Sequence, residues 1–73
     1  MSPYGVVLFH TTSAAFRAEK ILRAHTFVVK LIPTPRELSS DCGTALRFSW
    51  EDAEGVCARL TDARVELAGI HPL

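Results

Sequence analysis

Two prolines separated by a single residue, Pro33 and Pro35, decide where the elements of this chain can lie. Each fixes φ and removes a backbone donor, so neither a helix nor a central strand runs through Pro33-Thr34-Pro35. They end an apolar run at Leu31-Ile32 and open a polar stretch, Arg36-Glu37-Leu38-Ser39-Ser40-Asp41. That stretch closes on Cys42-Gly43, just before a second apolar run. The segment is expected to be a surface loop, and loops held between rigid elements carry function more often than their share.

The patterns on either side alternate between strand and helix. Tyr4 to His10 is aromatic and β-branched with apolar positions in succession, which suits a central strand. Thr11, Thr12 and Ser13 then offer N-cap hydroxyls, and Ala15, Ala18, Ile21, Leu22 and His25 fall on one helical stripe. Arg17, Lys20 and Arg23 fall mostly on the other side, as a solvated face. No glycine closes this helix, so His25-Thr26 has to make the turn. Phe27 to Ile32 reads as a second strand and Thr44 to Phe48 as a third. Ser49 caps a second helix, with Asp52 completing a weakened capping box. Trp50 is expected to pack against the sheet edge. Ala53, Val56, Cys57 and Leu60 form that helix's apolar stripe, where Gly55 has no evident reason to be. Val65 to Ile70 reads as the last strand, alternating through Glu66.

The order β-α-β-β-α-β with one apolar stripe per helix gives a two-layer α+β domain over residues 1–73. Right-handed crossovers put both helices on one face of an antiparallel sheet ordered 4-1-3-2, the ferredoxin-like plait. On the other face Val28, Ala45, Ile70 and one side of the first strand are expected to be exposed among Lys30, Arg47 and Glu66. A mixed patch of that kind suits a homodimer contact.

Composition removes several functions. Of 73 residues, 8 are basic and 8 acidic, and the pI is near 6.8. That balance argues against nucleic acid and against an anionic membrane surface as partners. The apolar runs are far too short for a spanning helix. Met1 to Gly5 lacks the basic start and apolar core of a signal peptide, which makes the cytoplasm the expected compartment. In a reducing compartment two cysteines are expected as thiols, and a Cys42–Cys57 disulfide is disfavoured. Cys57, inside a helix stripe, reads as a small hydrophobe. Three scattered histidines give no zinc-ligand spacing, so neither a metal nor a cofactor is expected. No phosphate-cradling glycine motif, paired catalytic carboxylates or nucleophile elbow is present.

Cys42 is the residue with chemistry to offer. A thiol between Asp41 and Gly43 in a polar loop is accessible by context, and Gly43 removes bulk beside it. Arg36 and Arg47 favour the thiolate while Asp41 opposes it.

The segments "VVLFHTTSAAFRAEKILRAH" and "VVKLIPTPRELSSDCGTALRFS", with "GI" near the end, resemble the selenium/sulfur carrier protein-like family, long labelled a domain of unknown function. The most specific part is "KLIPTPRELSSDCG" followed by "ALRF". The resemblance implies a cytoplasmic ferredoxin-like domain whose loop cysteine, here Cys42, holds sulfur or selenium as a persulfide or selenosulfide. It departs where Thr26 stands in place of a glycine and where Cys57 has no counterpart. Such a carrier takes its cargo from a persulfide- or selenide-donating enzyme, yields it to an acceptor enzyme, and is not itself an enzyme. Each exchange needs a thiolate, access and room at the sulfur, and the absence of a nearby resolving cysteine suits a carrier. Ser39, Ser40 and local N–H groups could bond an anionic persulfide, with Arg36 adding charge. Those serines also fit simple turn roles, and Arg36 a solvated one. His10 ends the first strand where it could meet the loop, or bonds backbone as a partly buried histidine. A second reading from another class is a regulatory or interaction module that dimerises through the open sheet face, with Cys42 incidental.

Overall fold

A computed structural model describes residues 3–38 and 43–73. The elements are β1 (Tyr4–Leu8), α1 (Thr12–Ala24), β2 (Val29–Pro33), β3 (Thr44–Ser49), α2 (Ala53–Asp62) and β4 (Gly69–Pro72). One-turn 3₁₀ helices at Arg36–Leu38 and Trp50–Asp52 precede β3 and α2. The four strands form an antiparallel sheet in the order β2-β3-β1-β4, with β1 and β3 central, as expected for a ferredoxin-like plait. Pro33 is tolerated because β2 is an edge strand and Pro33 its last residue.

The main core lies between the helices and one sheet face. Ala15, Ala18 and Leu22 of α1 and Val56 and Leu60 of α2 meet Val7, Val29, Leu46 and Phe48 there, all buried. His25 is no part of that stripe; it caps α1 and is exposed. Thr11 is the N-cap that forms, its hydroxyl accepting from the Ala14 amide at 3.1 Å. Ser49 caps nothing through its side chain, because a 3₁₀ turn intervenes before α2. Trp50 instead lies over Gly5 in β1, where a Cβ would come within 2.7 Å of Phe48 Cζ and run into the indole. This packing reaches a central strand, further in than the sheet edge expected for it.

Both helices end alike. Thr26 at φ 67° and Arg64 at φ 59° occupy the left-handed region that glycine normally fills. The Phe27 amide bonds to Leu22 O at 3.0 Å, and the Val65 amide to Leu60 O at 2.9 Å. These six-to-one bonds close each terminus as a Schellman motif and turn Phe27 and Val65 back onto the core. Arg17 adds a bond from its guanidinium to Ala63 O at 2.8 Å, satisfying a carbonyl at the end of α2. Gly55 also finds its reason: a Cβ there would stand 2.8 Å from Phe27 Cζ.

The last strand departs from expectation. Val65 and Leu67 alternate as strand residues do, yet they are a connector that drops into the core, and β4 begins only at Gly69. Glu66 is therefore off the sheet. Ile70 sits opposite Val7 and packs on the main core, so it is not on the open face. That face differs again in being only half open. Val6, Leu8 and Ala45 are buried as a second cluster, with Ile32 and Leu38 packed against them. Val28, as expected, is exposed, at 82%.

Candidate functional site

The segment after β2 is anchored at both feet. Pro33 pairs with Thr44, and one step further the Thr34 amide donates to Gly43 O at 3.0 Å. The sheet ladder thus continues past both strand ends before the chain parts into the loop. Pro35 O then accepts from the Leu38 amide at 3.0 Å, which closes the 3₁₀ turn Arg36–Leu38. Proline suits the position ahead of this turn, since its φ is already helical and its missing donor costs nothing there.

Leu38 fixes the direction of that turn. It is the one aliphatic side chain between Pro35 and Gly43, and it packs on Val6, Leu8 and Ala45. The described part of the loop therefore leans over the sheet face opposite the helices. Burying an aliphatic side chain contributes about 1.5–3 kcal/mol when complete, so half-burial holds the turn by about half of that.

The expected site residues divide into two groups. Arg36 is exposed at the start of the turn, and Gly43 is exposed at the loop's second foot. Among the described residues, a Cβ on Gly43 would meet nothing within 4 Å. β1 stops at Leu8, opposite Ala45, so His10 leaves the sheet at the end from which the loop also springs. It is exposed, not partly buried. Ser39, Ser40 and Cys42, with Asp41, lie outside the described residues. Cys57 is a half-buried free thiol on α2, in the helix layer and away from the face that Leu38 covers. Among the described residues no group of His, Cys, Asp and Glu could hold a metal ion. Among them also, no helix is long and apolar enough to cross a membrane.

Two structural features escape a reading of the residues alone. Leu38 as the loop's anchor had a signal, being a lone aliphatic residue in a polar run. The second feature is a pocket at the far end of β2 and β3, where Tyr4 and Arg23 join the Lys30 and Arg47 already expected on one face; the concavity itself is visible only in the fold.

Residues 4–72 match the family model described as "Putative Se/S carrier protein-like". The chain belongs to that family. The match spans both anchoring feet of the loop and every strand and helix. A Se/S carrier hands its cargo to other proteins, so membership points to an accessory protein with enzyme partners and away from a stand-alone catalyst. Among curated proteins and among solved structures, none matches the chain.

Proposed function

We propose that this Se/S carrier family member holds its sulfur or selenium on Cys42 and passes it between a donor and an acceptor enzyme in the cytoplasm. The observation that carries the reading is the family match across 4–72, joined to a loop pinned by Thr34 and Gly43 next to that cysteine in sequence. In loading, the Cys42 thiolate attacks the outer sulfur of a donor persulfide. A new S–S bond forms on Cys42, the donor's S–S bond breaks, and the donor leaves as its thiolate. Unloading is the same exchange in reverse direction, with an acceptor nucleophile taking the outer atom and Cys42 leaving as thiolate. A selenium atom follows the same electron count. Arg36 supplies positive charge, and Ser39 and Ser40 hydrogen bonds, to the bound anion. Gly43 leaves space for the partner's sulfur, and His10 borders the approach.

The competing idea, a dimer through the open sheet face, has less in its favour. Of the apolar residues expected to drive it, Ala45 and the strand-one residues Val6 and Leu8 are buried within one chain and Ile70 packs on the main core, which leaves Val28 exposed. Lys30 and Arg47 would also have to be brought under a second copy with no carboxylate, among the described residues, in the pocket they line.

The test is incubation with a cysteine desulfurase and, separately, a selenocysteine lyase, followed by intact mass spectrometry. The expected product carries one added sulfur or selenium atom, removed by reductant and absent in Cys42→Ser. An adduct that persists in Cys42→Ser, or none with either donor, overturns the proposal.

A further inference from the structure

A concavity of about 540 Å³ lies where the open face meets the β2 edge of the sheet, next to the backbone of Val29 and Phe48. Tyr4, Arg23, Val28, Lys30, Arg47 and Ser49 line it. Lys30 and Arg47 face each other directly across the β2–β3 ladder. Two like charges in that relation destabilise a sheet. Among the described residues neither is offset by a carboxylate, and no carboxylate lines the pocket. Arg23 is different: it meets Glu19 at 3.2 Å and reaches toward Val29 O at 3.5 Å, so its charge is partly matched. The Arg47 guanidinium stacks 4.5 Å from the centre of the Tyr4 ring, which holds it in place while leaving its N–H edge for another partner. The volume is that of a small-molecule site, and Val28 and Tyr4 supply an apolar wall beside the charges. A pair of like charges kept together at a local cost, inside a concavity with an apolar wall, is the signature of a group missing between them.

We propose that this pocket binds a small-molecule anion, its phosphate or carboxylate head between Lys30 and Arg47 and its flat or aliphatic body against Tyr4 and Val28. The pocket lies three residues along β2 from Pro33, about 10 Å from the foot of the loop. An anion there sits on the same sheet face as Leu38, beside the carrier loop and not within it. The inference is independent of the chemistry of Cys42.

The experiment is an amide NMR titration of the full chain with inorganic phosphate and with phenyl phosphate. Saturable shifts are expected at Tyr4, Val28, Lys30, Arg47 and Ser49, weakened by added salt, with phenyl phosphate the tighter ligand. Lys30→Ala and Arg47→Ala should each weaken both ligands about tenfold. The thermal midpoint of Lys30→Ala should be unchanged or raised, since it removes a like-charge contact. Val28→Ser should narrow the gap between the two ligands and leave inorganic phosphate binding as it was. Shifts without saturation, shifts centred on Arg59 or Arg64, or binding undiminished in the double variant would overturn the site. Tighter binding by a glutamate-rich peptide than by phenyl phosphate would instead make the surface a protein-docking one and overturn the small-molecule assignment.

Discussion

The two faces of the sheet follow different rules. On the helix side Val7, Val29, Leu46 and Phe48 are buried under two helices whose ends are both closed by backbone bonds. On the opposite side an apolar half is covered, among the described residues, by Ile32 and Leu38, and a basic half sets Lys30 against Arg47 with no carboxylate beside them among the described residues. The first face is consistent at every level, and the second breaks a local pairing rule. Stability therefore belongs mainly to the helix side.

The largest test of this contrast is Leu46→Ala. Truncating a fully buried leucine on the helix side should cost about 3 kcal/mol, read from the urea midpoint, and leave a domain of this size near its unfolding threshold. Gly55→Ala comes next. Helix propensity alone would gain about 1 kcal/mol, but the new methyl meets the Phe27 ring, and a net loss of about 1–2 kcal/mol is expected. A stabilised Gly55→Ala would show that the seam between Phe27 and α2 is loose. On the other face Leu38→Ala should cost only about 1 kcal/mol while exposing Val6 and Leu8 to a hydrophobic dye. A loss there as large as that of Leu46→Ala would erase the distinction. Thr26→Gly should raise the unfolding free energy by about 1 kcal/mol, read from the urea midpoint, because a β-branched residue at φ 67° is strained and glycine is not. Smallest of all, Lys30→Ala should leave stability unchanged or raise it by less than about 0.5 kcal/mol, since it removes a like-charge contact.

The layer order was readable from periodicity because each helix buries one narrow stripe and β1 is apolar on both sides. The departures have specific causes. Val65 and Leu67 mimic a strand because a connector that dips into the core alternates in the same way; the backbone reversal at Arg64 has no glycine to announce it. His25 fell on the stripe by spacing, but the helix ends one residue before it. Gly55 made no sense until Phe27, twenty-eight positions earlier, was found against it. Thr26 takes the left-handed conformation that glycine ordinarily fills at this point of a helix C-terminus. Of the site, the loop and its prolines were evident from the chain. The turn toward the open face was not, since it depends on what Leu38 finds to cover.

The bond between Thr34 and Gly43 has a further consequence. Because the two ends of the connection are already held side by side by the ladder, the segment between them acts as a cassette whose length is only loosely coupled to the rest of the domain. Doubling its length would add about 0.6 kcal/mol of closure entropy, less than the loss expected from trimming one core leucine. A support of this kind can accept replacement tips fitted to different delivery routes without being refolded each time.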